Sequence, residues 1–388
     1  MATVTNRHRI ALIGLGGISQ SVHLPLIARL HDRVQLAAVV DLSAQRTAEI
    51  ADAHGRGIKQ FLSVDQLLSS GEKIDGAVIA SGGTHAVDAK KLLEAGVTVL
   101  AEKPLGYSLA EHKDLANAVD SSGLRVGYMK EYDPASREAK KLLENLHIRS
   151  VEVEVLHPAD AAQLNFAHLR PAATDVDEAV LAAASKPTKT AIEAAIGGAP
   201  GKDIDRFYPN VVLGSVIHDI ALLRYLMGGI GTVEEAHHYG DEFPGSLFMR
   251  GQLKKHPAPW TLNWHFIAKY PEYQETVTIH HDEGTVQLVF SVPYVLNGPT
   301  RLNVVRGLPA LGVERTTQTW PQCEAFETEW KEFLDLIEGI PNEASSLDES
   351  AADIAVGQCM INALASSLGA PLGPNTEAVI TAKGNDTL

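Results

Sequence analysis

The chain has 388 residues, of which 45% are hydrophobic and 21% charged: ordinary globular composition, long enough for two or three domains with buried cores. A formal net charge of −15 argues against nucleic acid or an anionic membrane surface as partner, because both require basic patches. The two cysteines, Cys323 and Cys359, match no metal or redox spacing, and the opening MATVTNRHRI contains no hydrophobic signal region. No stretch reads as long enough for a membrane span, so a reducing, cytoplasmic location is expected.

From Arg9 to Asp41 the order is apolar run (Ile10–Ile13), Gly14-Leu15-Gly16-Gly17, helical pattern, second apolar run (Leu36–Val40) and acid. This is the strand–glycine turn–helix–strand plan of a dinucleotide-binding half-domain. Gly14 and Gly16 let the backbone turn tightly and approach a pyrophosphate, which sits on the free N–H groups of the next helix. Asp41 is placed to accept hydrogen bonds from the adenosine ribose, while the third glycine of the fingerprint is replaced by Ser19.

The theme repeats. Ser43 caps a helix over Ala44–Ala53, and Ser63-Val64-Asp65-Gln66 reads as a capping box. The run Ile74–Ala80 is a buried strand ending in Ser81-Gly82-Gly83-Thr84-His85, followed by a helix over Ala86–Glu94 stopped at Gly96. Val97–Leu100 is the next strand and ends in Ala101-Glu102-Lys103-Pro104; a second capping box, Ser108 to Glu111, and a strand over Leu124–Tyr128 close the set. Strands alternating with helices make a doubly wound parallel sheet, whose ligands bind beyond the carboxyl ends of the strands.

With the glycine turn, the Ser81–His85 turn and Glu102-Lys103-Pro104 in this order, the chain resembles the glucose-fructose oxidoreductase/inositol dehydrogenase/rhizopine catabolism (Gfo/Idh/MocA) superfamily. The resemblance implies a lysine beside the nicotinamide, here Lys103, aimed by a turn that Pro104 fixes. It also implies cofactor contacts from Gly14, Gly16, Gly17, Ile18, Asp41, Ser81, Gly82, His85, Glu102 and Lys103. One departure stands out: the family's usual Pro-Asn in the fourth-strand turn is Gly82-Gly83.

A Rossmann domain over 1–129 is therefore expected to be followed by a substrate-binding and oligomerisation domain over 130–388. Tyr128–Pro134 resembles the family's crossover at the nicotinamide pocket. A helix over Ala135–Leu146 precedes alternating strands at Val151–Val155, Trp260–Phe266, Glu275–His280, Thr285–Val292 and Leu302–Val305, with Gly284 in a hairpin turn. Strands without intervening helices give a large, mostly antiparallel open sheet, whose free face suits a homodimer or homotetramer. Between about 158 and 205, two alanine-rich helices, Asp175–Ser185 and Lys189–Ile196, form an insertion. It packs on the domain or a neighbouring subunit, or it is a lid with His157, His168 or Arg170 reaching inward.

Gly214–Leu226 is an amphipathic helix carrying His218 and Asp219, and it resembles the family's active-site helix. Many polyol-oxidising members carry an aspartate one helical turn before the histidine; here that position is Gly214, so either Asp219 or a group from another element assists the histidine, or the chemistry differs from plain alcohol oxidation. Two further helices close the chain: Phe326, Trp330, Phe333, Leu334 and Ile337 form an apolar stripe, and a second helix spans Leu347–Leu368. His237, His238, His280 and His281 lie in strand neighbourhoods that send adjacent side chains to opposite faces, so no metal is assigned.

The resulting expectation is an NAD-dependent oxidoreductase acting on a sugar, glycoside or cyclitol. His218 takes the hydroxyl proton, as suits a side chain that titrates near neutrality, and Lys103 stabilises the developing oxyanion. Lys130, Tyr132, His157 and Asp219 contact substrate, and Asp41 favours NAD over NADP through charge. The alternatives are a redox-neutral enzyme that retains NAD, and a non-catalytic dinucleotide sensor.

Overall fold

The computed structural model describes residues 7–159, 163–198, 201–342 and 345–373. The chain divides into two compact units, one of Met1–Gly127, Ala167–Ala191 and Glu329–Ser350, the other of Tyr128–Phe166, Ile192–Thr328 and Ala351–Leu388. The stretch read as an insertion in the second domain thus contributes residues 167–191 to the first unit.

In the first unit six strands, β1 (His8–Ile13), β2 (Val34–Val40), β3 (Lys59–Phe61), β4 (Gly76–Ile79), β5 (Thr98–Glu102) and β6 (Leu124–Gly127), form a sheet ordered β3-β2-β1-β4-β5-β6. Every pairing is parallel, as the alternation of strand and helix requires. Ile10, Ala11 and Leu12 on the central strand are wholly buried. The short β3 has no apolar run to announce it and forms by pairing with Ala38–Val40. Ser108 and Glu111 make the full capping box. At Ser63 only half forms: its hydroxyl accepts from Gln66 N, but Gln66 Oε1 accepts from Leu62 N. Trp330 and Phe333 of the helix Ala325–Ile337 are buried in this unit; a Cβ on Gly76 would lie 2.8 Å from Phe333 Cζ, which is why β4 begins with glycine.

The second unit holds eight strands: β7 (Ile148–His157), β8 (Ile230–Tyr239), β9 (Ser246–Leu253), β10 (Pro259–Phe266), β11 (Gln274–His281), β12 (Gly284–Phe290), β13 (Arg301–Leu308) and β14 (Gly312–Gln318). They are ordered β14-β13-β12-β11-β7-β10-β9-β8, and all neighbours run antiparallel except β7 and β10. Sequence periodicity missed β8, β9 and β14. Two register shifts in β8 break its period of two, and β14 is an edge strand almost wholly exposed, so neither shows clean alternation. Gly284 serves less as a turn residue than as a close approach: a Cβ there would sit 1.9 Å from Val305 O.

Two helical expectations change. The two alanine-rich helices are one, Glu178–Ile196, running through Pro187; proline removes one backbone donor, and good helix formers hold the remainder. The helix bearing His218 begins well before Gly214. It runs from Ile204 to Met227, with a π-helical stretch over Tyr208–Val216. This helix and Leu347–Leu368 are long and apolar enough to cross a membrane, contrary to the sequence reading, but 67% and 61% of their apolar windows are buried inside the protein. Their apolar length is that of core helices.

Candidate functional site

The glycine turn of the first unit is dictated by its neighbours. Gly14 has φ +81°, and a Cβ there would lie 2.3 Å from Ser81 Cα, so only glycine lets the turns after β1 and β4 approach each other. Gly16 faces open space. Ser19, standing where the fingerprint has its third glycine, is buried and donates to Gly14 O at 2.6 Å, closing the turn from inside. Asp41 accepts from Leu15 N and Ser43 N, both at 2.9 Å, which fixes the carboxylate at the end of β2.

These groups border an open cleft of about 1470 Å³. Gly14, Gly16, Asp41, Ser81 and Gly82 line it, whereas Gly17, Ile18, His85, Glu102 and Lys103 lie outside its lining. A glycine that permits close backbone approach, an open Gly16 beside the following helix and a carboxylate at the second strand's end fit a dinucleotide. Ala173, Val176, Leu181, Ala184 and Pro187 supply an apolar wall.

Lys103 follows β5 on a cis peptide to Pro104. Its neighbour Glu102 is held by a buried relay in which Trp330 Nε1–H donates to His23 Nδ1 at 3.1 Å, leaving His23 Nε2–H to donate to Glu102 Oε1 at 3.1 Å. His85 donates its backbone N–H to Leu105 O at 3.0 Å. Burial lowers its ring to about 4; Glu102 opposes that shift and Lys103 adds to it, so the imidazole is neutral at pH 7.

In the second unit His218 and Lys130 line one cavity, together with Tyr273, Glu275, Phe290 and Asp133. The helix Ile217–Met227 that carries His218 is clamped by Arg224, which meets Asp353 through two nitrogens at 2.9 Å and Glu131 at 2.6 Å. Asp219 is outside the cavity lining and accepts from Lys130 Nζ at 3.1 Å. Lys130 also donates to Glu275, and Tyr273 donates its hydroxyl to Glu275 at 2.5 Å.

The charge states of this buried cluster follow from its contacts. Burial, with the Glu275 carboxylate beside it, pushes Asp219 well above the usual carboxylate range against the pull of Lys130. Glu275 goes the other way: burial opposes ionisation, but the Lys130 ammonium and hydrogen bonds from Asp219, Lys130 and Tyr273 hold it low. Burial weakens the Lys130 cation, yet the two acids hold its value up. Within the cluster Asp219 is therefore the acid that ionises less readily, and Glu275 the one held ionised beside the Lys130 ammonium.

Of the other sequence candidates, Tyr132 is buried beneath the Arg137 guanidinium, and His157 packs on Trp264, Phe266 and Tyr273; neither lines the cavity. His168 and Arg170 belong to the first unit and are exposed. The missed residues are Tyr273 and Glu275. Glu275 had a signal: it shares the inward parity of Val277 and Ile279 on β11, so a charge stands at a core position. Among the described residues no group of three or more His, Cys, Asp or Glu is arranged for a metal ion.

Residues 8–129 match the model of an oxidoreductase family with an NAD-binding Rossmann fold, GFO_IDH_MocA. The inositol 2-dehydrogenase 3 of Saccharopolyspora erythraea is 30% identical over 175 residues, 41% of this chain and 51% of that protein. The rhizopine catabolism protein MocA of Rhizobium meliloti is 30% identical over 152 residues, 37% of this chain and 46% of the relative. The chain therefore spans about half the length of the curated relatives it matches. Among solved structures, the WlbA dehydrogenase from Bordetella pertussis, in complex with NADH and UDP-GlcNAcA, shares the fold with TM-score 0.65 at 18% identity, covering 95% of this chain and 100% of that one. The scyllo-inositol dehydrogenase from Lactobacillus casei, with bound NAD(H) and scyllo-inositol, gives TM-score 0.64 at 17% identity, covering 93% and 98%. Over residues 8–129 the chain is thus similar to the Gfo/Idh/MocA oxidoreductase family, whose model carries an NAD-binding Rossmann fold.

Proposed function

We propose that the protein is an NAD-dependent oxidoreductase that moves a hydride between the nicotinamide and a carbinol carbon of a sugar, glycoside or cyclitol. The observation that carries this reading is the cleft at the strand ends, lined by Gly14, Gly16, Asp41 and Ser81 in the family-matched region, whose shape and chemistry suit a dinucleotide. Relatives named for inositols support the substrate class. NAD supplies the hydride acceptor when bound. His218, lining the second unit's cavity, takes the substrate hydroxyl proton on its imidazole. Lys130, kept cationic by Glu275 and Asp219, donates hydrogen bonds to substrate oxygens from the same cavity wall. Lys103 stabilises negative charge on the reacting oxygen. The carboxylate absent at Gly214 is replaced by Glu275, which reaches the His218 cavity from β11 rather than from the histidine's own helix.

Absorbance at the NADH band, followed across a panel of sugars and cyclitols with NAD, tests the proposal; a protein that binds NADH yet turns over none of them refutes the substrate class. Full substrate conversion with substoichiometric NADH would instead indicate redox-neutral chemistry on retained cofactor. Asp41→Ala is expected to weaken NADH about tenfold, by loss of ribose hydrogen bonds, and NADPH less, because a like charge also leaves. Fluorescence titration with both nucleotides reads the two changes; equal losses would remove Asp41 from the ribose.

A further inference from the structure

Residues 167–191 fold with the first unit and are tied to three of its strand-end turns. After β1, Gln20 Oε1 accepts from Arg170 N at 3.0 Å. After β2, the Arg46 guanidinium donates to Pro171 O, while Asp175 accepts from the Ser43 hydroxyl and, at 2.9 Å, from Gln45 N. After β4, Thr188 Oγ1 accepts from Thr84 N at 2.9 Å. The last anchor explains Gly83 of the Gly82-Gly83 pair: a Cβ there would lie 2.4 Å from Thr188 Oγ1, and its φ is +86°. Between the anchors Ala173, Val176 and Leu181 face the dinucleotide cleft. The segment is a strap across one side of that cleft.

The strap's charge lands at a telling place. Ser43 caps the helix Ala44–His54, whose first N–H groups and positive end suit an anion, and Arg46 is the third residue of that helix. Arg46 is buried, and its Nη1 has no hydrogen-bond partner among the described residues. A hydroxyl, a backbone N–H and a guanidinium just past the acid that ends β2 form a donor set suited to a ribose 2′-phosphate. Asp175 already takes two of those donors, and Pro171 takes part of the third.

We propose that Asp175, delivered by the strap, is a specificity-determining residue of the dinucleotide site: it fills the position a 2′-phosphate requires, so the site admits NAD and rejects NADP. The inference rests on the dinucleotide-binding reading above and adds to it a determinant outside the Rossmann sequence. A ribose with a free 2′-hydroxyl leaves the Asp175 contacts intact. A 2′-phosphate must displace one carboxylate and lie beside another, Asp41.

The test titrates NADH and NADPH fluorescence with the full-length protein, its Asp175→Asn and its Asp175→Ala variants. The wild type is expected to prefer NADH, and both variants to shift the NADH/NADPH affinity ratio toward NADPH by about tenfold, with NADH itself within about threefold. Wild type that binds NADH and NADPH equally, or variants that leave the ratio unchanged, overturn the role of Asp175 while cofactor binding stands. Wild type that binds neither nucleotide overturns the dinucleotide reading and the inference with it.

Discussion

Lys103→Ala lowers the rate of NADH formation by about 100- to 1000-fold, the scale expected when a donor aimed at developing negative charge is removed. NADH still binds, because the glycine turn, Asp41 and Ser81 are untouched and Lys103 lies outside the lining of their cleft. Local structure also persists. The neighbouring Glu102 is fixed by the Trp330–His23 relay, which does not involve the lysine side chain. The loss therefore falls on kcat rather than on nucleotide affinity, and steady-state kinetics beside a fluorescence titration separates the two. Lys103→Arg keeps the charge on a different geometry and recovers only part of the rate. Unchanged turnover in the alanine variant would end the catalytic assignment.

Lys130→Met destabilises the protein by about 3–5 kcal/mol at pH 8, because it leaves Asp219 and Glu275 buried together without their cation. The deficit depends on pH, and its sign follows from Glu275. In the wild type Glu275 is held below its ordinary value of 4.5 despite burial, so its contribution is present above about pH 4.5 and is lost as pH falls through the folded value. Without the ammonium, burial dominates and raises Glu275. The folded variant then keeps a proton that the unfolded chain releases, and it loses stability as pH rises above about 4.5. Urea denaturation at pH 5 and pH 8 therefore shows a larger gap between wild type and variant at pH 8. A gap independent of pH would mean that Lys130 does not set the ionisation of Glu275.

Several elements were legible because their causes are local. A buried βαβ unit writes itself as apolar runs around a glycine turn, and Ser43, Ser108 and Gly96 mark helix ends through hydrogen bonds and backbone angles that span a few residues. The strands β7, β10, β11, β12 and β13 alternate because one face is buried, whereas β8 hides its period behind two register shifts and β14 has no buried face to show.

The candidate site divides along the same line. Gly14, Asp41, Lys103 and His218 each stand in a recognisable local setting, so sequence alone proposes them as candidates. Only the tertiary structure joined Lys130, Asp219, Glu275 and Tyr273 into one hydrogen-bonded cluster, since Lys130 in the crossover lies about 90 positions from Asp219 and 145 from Glu275, and no periodicity links them. Only the tertiary structure brought residues 167–191 back onto the glycine-turn side of the first unit, where Asp175 meets Ser43 across 132 positions. Short-range steric and hydrogen-bond rules determine what a segment becomes; which buried charges are paired, and which anion position is already taken, depends on contacts that chain order does not encode.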